Sequence, residues 1–469
     1  TIAFGAVMAQ QARETARERD RATLEAATAQ QVSRVLVDLF ASADPGNARG
    51  QDLTARELLD RAAAGLARDG ELQPAVRARL QNAIGEVYLN LGMHEEAESQ
   101  FRSARDTLDD LVPEADPDRL TAERGVARAL VQRSRYDDAE AVLIAVHDRA
   151  HASLPQGAPL LADLTNDLGV LRYDQGRNVE ALELLSRAAQ LRAAAWGENS
   201  PKALSTLTNL GAIRSRVGDT EGSITVLRDV LQRVERHLGV DHPELFRAGL
   251  NLGADLSRSG RFAEAVALYE QLLPKARQVL GEAHTTTLTL SGNYAASLGS
   301  TGRHADALAQ LRTVQADAAR VLGPESRQAM FWETHVGVSL ARNGQGAEAE
   351  RRLTALLERQ SRIRGAANFD TLNTRNALGE VLAGLGRHAD AIAAVADVPD
   401  LALESLGPRS TIRRTAMLRL ADASFALGRD ADGGRWWREA APFPPPPGYA
   451  DYPELEARLA RGLLRRPGT

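Results

Sequence analysis

Asn209, Asn251 and Asn293 stand 42 residues apart, and the same step carries the series back to Asp167 and on to His335. A carboxamide both donates and accepts hydrogen bonds, so a row of them can hold the main chain of an extended peptide. Seven residues after these positions runs a second series, Arg216, Arg258, Ser300 and Arg342. Its guanidinium groups would favour carboxylates on whatever lies beside the Asn row. The chemistry of both series is recognition, since the Asn and Arg side chains that dominate them are neither nucleophiles nor bases.

Other chemistry is thin. Cysteine is absent, which excludes disulfides, thiol nucleophiles and zinc-thiolate sites. His147 and His151 are four apart on a helical stretch and could share a metal, but a third ligand is missing and a solvated helix face is the simpler reading. His242 and His284 fall in connectors, where capping or packing is expected. The acidic cluster Asp109, Asp110, Glu114, Asp116 and Asp118 lacks the Gly and spacing of a calcium loop and reads as a solvated linker. There is no phosphate-binding Gly-x-x-x-x-Gly-Lys loop, no kinase His-Arg-Asp loop and no Asp-Phe-Gly. The chain is therefore expected to carry no catalytic residues, no metal and no cofactor. A formal net charge of −5 gives no general attraction to nucleic acid.

What positions the two series is a repeat. Gly92, Gly176, Gly218, Gly260, Gly302, Gly344, Gly386 and Gly428 lie on one ladder with a step of 42, on which Ser134 alone is not glycine. Seven residues ahead of each rung is a small residue (Gly85, Gly169, Gly253 among them), preceded by a large apolar one. Five residues after each rung the chain is small again, as at Ala97 and Ala265, and four further on it is large, as at Phe101 and Tyr269. A spacing of four keeps both on one helical face. The unit is helix A, tight turn, helix B, and a period of this size marks a stacked array.

The pairs Leu210-Gly211 and Ile84-Gly85, with Ala97 and Phe101 on helix B, resemble the tetratricopeptide repeat. The extra length falls between units, where Leu238-Gly239-Val240-Asp241-His242-Pro243 and Leu280-Gly281-Glu282-Ala283-His284 look like the connector of the 42-residue kinesin light chain variety. Arg172 and Arg214 depart from the pattern, standing where a large apolar residue is expected. The resemblance implies an all-α superhelix of about nine units, an α-solenoid covering residues 77–441. In that family helix A lines the concave side. Residues nine and two before the turn glycine then face the groove, which makes Asn209, Asn251, Asn293, His335, Arg216, Arg258 and Arg342 the peptide-binding residues. The implied partner is a protein or an extended, acidic peptide.

Thr1 to Ala9 is apolar and then turns charged, which reads as the last turns of a membrane helix; a signal-peptide remnant or an ordinary helix start is the alternative. Residues 10–48 read as a juxtamembrane helix and 49–76 as an N-terminal capping helix, with Thr54 and Glu57 spaced as a capping box. Residues 442–469 read as a Pro-rich linker and a C-terminal capping helix. The runs RERDRA, LFASADP, LTARELLDRAA and AIGEVYLNLG resemble the segment that follows the membrane helix in bacterial membrane-anchored serine/threonine kinases. That resemblance implies a non-catalytic partner-binding arm outside the cytoplasm, with any kinase domain upstream. The alternative is a free-standing adaptor, which could be cytoplasmic.

Overall fold

The structure, a computed structural model, describes residues 55–68, 72–408 and 410–440. The membrane-helix, juxtamembrane, capping-box and Pro-rich expectations for residues 1–54 and 442–469 lie outside the described residues. The chain falls into two compact units that meet in sequence between Val217 and Gly218. The described residues contain helices and turns and no strand.

Unit 1 comprises α1 (Ala55–Arg68), α2 (Pro74–Asn90), α3 (His94–Leu108), α4 (Pro117–Gln132), α5 (Tyr136–Ser153), α6 (Pro159–Asp174), α7 (Asn178–Trp196) and α8 (Pro201–Arg216). Unit 2 comprises α9 (Thr220–His237), α10 (Pro243–Arg258), α11 (Phe262–Leu280), α12 (Thr285–Ser300), α13 (His304–Leu322), α14 (Arg327–Arg342) and α15 (Gly346–Arg364). It continues with α16 (Phe369–Gly384), α17 (His388–Val395), α18 (Val398–Leu406), α19 (Thr411–Ala426) and α20 (Asp430–Ala440). Even-numbered helices from α2 to α16, and then α19, are the A helices.

Packing follows the notch-and-knob pattern. Ala97, Ala139, Ala181, Ala265 and Ala349 are fully buried, and the knobs four residues on, among them Phe101, Leu143, Leu185, Tyr269 and Leu353, are buried with them. At Gly85, Gly169, Gly253, Gly337 and Gly379 the knob lies over the small residue of helix A. A Cβ at Gly337 would come within 2.6 Å of Leu353, and one at Gly253 would collide with the Tyr269 ring, so only a hydrogen fits there. The turns take left-handed backbone, and Ser134 shares it at φ 59° although it has a side chain. Arg172, in its apolar position, is buried but satisfied, pairing with Glu140 at 2.6 Å.

A third ladder caps the A helices. Asp116, Ser200, His242, His284, Ser326, Asn368 and Ser410 each accept a hydrogen bond from the first turn of the helix that follows. His242 and His284 do so through Nδ1, from the Glu244 and Thr286 amides, both at 3.2 Å. The acidic cluster is therefore more than a solvated linker: besides the Asp116 cap, Asp118 pairs with Arg79 at 2.7 Å.

Helix B of the eighth pair is broken into α17 and α18 just ahead of Pro399, whereas α11 runs unbroken through Pro274. At the break Arg375 donates to the Ala394 carbonyl at 3.0 Å and pairs with Asp397, satisfying an acceptor the interrupted helix releases.

Candidate functional site

Four positions on each helix A, namely 13, 9, 6 and 2 residues ahead of the turn glycine, are spaced 4, 3 and 4 apart and so share one face. In unit 2 this face carries a cavity of about 270 Å³. His335, Ala377 and Arg419 reach it from the nine-before position, Ala296, Val338 and Glu380 from six before, Asn373 and Thr415 from 13 before, and Arg342 from two before. Two of the residues expected from sequence, His335 and Arg342, are thus brought together. Glu380, Arg419, Asn373 and Thr415 were missed, although the same helical spacing points to them.

His335 donates from Nδ1 to the Phe331 carbonyl at 3.0 Å and lies against the Phe331 ring, with centroids 4.4 Å apart. Burial pushes its pKa below the ordinary value and the Arg342 charge pushes it further, the Phe331 hydrogen bond opposing both. The ring is therefore neutral, with Nε2 as an acceptor. Arg342 pairs with Glu380 at 3.2 Å, and Arg419 pairs with the other oxygen of the same carboxylate.

The other expected residues of unit 2 lie outside this cavity. Asn251 is half-buried on α10 and makes no hydrogen bond among the described residues. Asn293, half-buried on α12, lies beside the Tyr269 hydroxyl. Arg258 is not a free cation, because it pairs with the buried Asp255 one turn back. Asp255 also accepts from Ser223 Oγ at 2.5 Å.

In unit 1 the same face carries a cavity of about 340 Å³, to which Asp167, Arg128, Asn90 and Gln132 contribute from the nine-, six- and two-before positions. Behind it lies a charged network. Arg124 Nε meets Asp167 at 2.6 Å, and Asp163 accepts from Arg192 at 2.6 Å and from Lys202 Nζ at 2.7 Å. Arg192 and Asn166 both bond Thr206, at 2.9 and 3.0 Å. Burial pushes the Asp167 carboxyl up, but Arg124 and Arg128 outweigh it and hold the pKa below the usual 3.8. Asn209 is half-buried on α8 with no hydrogen bond among the described residues. Arg216 stacks over the Tyr173 ring at 3.9 Å, an exposed cation held by an aromatic face.

Among the described residues no group of three His, Asp or Glu is placed to hold a metal ion. His147 and His151 stand 6.2 Å apart by ring centroids, with His147 half-buried and its Nε2 3.4 Å from Thr165 Oγ1 rather than solvated. No described helix is long and apolar enough to cross a membrane.

A tetratricopeptide repeat model matches residues 160–236, 203–277, 244–320 and 327–398, and a second model of that repeat matches residues 78–104. The chain belongs to the tetratricopeptide repeat family. Among solved structures this repeat array is similar to the apo form of RapI, with 10% identity over 83% of this chain and 99% of that one, at a TM-score of 0.60. It is also similar to a Rap protein complexed with Competence and Sporulation Factor, at 12% identity, 83% and 99% coverage and a TM-score of 0.50. Tetratricopeptide-like repeats of a kinesin light chain from Podosopora anserina align at 20% identity over 43% of this chain and 96% of that one, with a TM-score of 0.40. Among proteins with curated descriptions none matches this chain.

Proposed function

We propose that the shared face of the A helices binds an extended protein segment, and that the array is the partner-binding arm of a membrane-anchored bacterial serine/threonine kinase. The observation that carries the binding reading is that Asn209 and Asn251 hold half-exposed carboxamides without a partner among the described residues. A polar group left open at a half-buried position is ready to bond a ligand's main chain. Cavities beside the same register, about 270 Å³ in unit 2 and 340 Å³ in unit 1, add room for side chains. A Rap protein of similar fold, solved with Competence and Sporulation Factor, supports the same reading. The kinase arm and its place outside the cytoplasm rest on the resemblance of residues 10–92 to the segment that follows the membrane helix in such kinases.

The experiment recovers partners by pull-down and titrates them against a triple variant, Asn209→Ala, Asn251→Ala and Asn293→Ala. Each carboxamide contributes roughly 0.5–1.5 kcal/mol, so the three together lose on the order of a hundredfold in affinity. Unchanged affinity with helicity intact would move the binding surface elsewhere. Reading the coding sequence upstream of Thr1 tests the arm: a kinase domain and an apolar helix are expected, and a start codon with a signal peptide would favour the adaptor.

A further inference from the structure

The cavity of unit 2 is lined unevenly. Much of it is small or aliphatic: Ala295, Ala296, Gly299, Leu311, Val338 and Ala377. Also in the lining, Asn373 and Thr415 stand on successive A helices, half-buried and with no hydrogen bond among the described residues. Between them Asn376 donates to the Ile412 carbonyl at 3.1 Å, and its own oxygen is buried without a partner. Within these roughly 270 Å³, water against the alanine, leucine and valine lining lacks partners there, so an apolar group gains by displacing it.

Charge narrows the class of ligand. Arg342 and Arg419 would attract an acid, but Glu380 pairs with both. Both guanidiniums are therefore engaged within the chain, and the apolar part of the lining is what a ligand side chain is left to cover.

Resting on the reading that this face binds an extended segment, we propose that the cavity is an anchor pocket for one large uncharged side chain, aromatic or long aliphatic. The main chain flanking that side chain is hydrogen-bonded by Asn373 and Thr415. Ala296 and Ala377 make the room, and Arg342 and Arg419 stay paired with Glu380 beside it.

The test selects binders from a displayed library of short random peptides on the whole chain, then titrates them against Ala296→Trp and Asn373→Ala. Ala296 is exposed and Asn373 has no bond within the described chain, so both variants should fold; circular dichroism checks this. The selected peptides should share one aromatic or long aliphatic position. Its replacement by Ala, or Ala296→Trp, should cost between about tenfold and a hundredfold. Asn373→Ala should cost about three- to tenfold. Peptides that ignore Ala296→Trp yet weaken in the Asn251→Ala, Asn293→Ala variant overturn the pocket and leave groove binding standing. So do peptides that share an Asp or Glu and weaken with Arg342→Ala. Peptides indifferent to every variant, or no binder at all, overturn both.

Discussion

Arg124 carries two structural duties at once, since it holds Asp167 directly and approaches Asp163 at 3.4 Å. Removing one member of a buried charge network leaves the others uncompensated, so Arg124→Ala should cost about 3–5 kcal/mol in chemical denaturation of the chain. The pH dependence has a definite sign. Asp167 is held below its ordinary 3.8 in the folded chain, so its contribution is present above that value and lost as pH falls through the lower folded value. Stability should therefore drop in acid below about pH 4, and Asp167→Asn should flatten that slope. Arg258 behaves as a second case. Its loss takes the cation from the buried Asp255, which keeps the Ser223 hydrogen bond, so Arg258→Ala should lower stability by about 1 kcal/mol, whereas Arg216→Ala should leave stability nearly unchanged. Thermal denaturation of both variants shows it; equal, negligible effects would mean that the pair with Asp255 contributes nothing. The positions of Arg258 and Arg342 were legible from the period alone. Their partners were not, because whether an Arg faces a ligand or a carboxylate depends on side-chain torsions that spacing does not encode.

Elements were easier to read than contacts, because the same physical demand recurs in every repeat. The small residue on helix A and the knob on helix B are two halves of one contact, visible in sequence as two ladders and in space as Tyr269 over Gly253. Ala265 is fully buried beside that knob and Ala263 is exposed, so Ala265→Leu should cost roughly 1–3 kcal/mol while Ala263→Leu is nearly silent. Equal melting shifts in the two variants would put the register in error. The capping ladder was only half legible, since Ser, Asn, Asp and His look dissimilar as letters yet each supplies an acceptor to the same helix end. The break before Pro399 was not legible either. Pro274 and Pro399 are the same residue in equivalent helices, and only the second has an Arg375 placed to take the released carbonyl.

Across the whole molecule each repeat leans on its sequence neighbours, so damage should stay local within a unit. Gly337→Leu drives a side chain into Leu353. Hydrogen exchange should then lose protection in α13 to α16 while α2 to α5 keep theirs. Uniform loss of protection along the chain would show one cooperative body instead of an array of semi-independent units.

The capping ladder has a consequence for how such a chain can change length. His242 and His284 stand at the same point of consecutive repeats and make the same bond to the amide two residues on. Excising residues 243–284 would join His242 to Thr285 and leave a helix start chemically equivalent to the one removed. A gene can therefore lose or duplicate this block in frame and still encode sound junctions, so that natural variation should alter the reach of the array in whole-repeat steps. Expressing the excised chain tests it: a helical, soluble protein with per-residue ellipticity like that of the parent is expected, and aggregation would show that neighbouring repeats are not interchangeable at their seams.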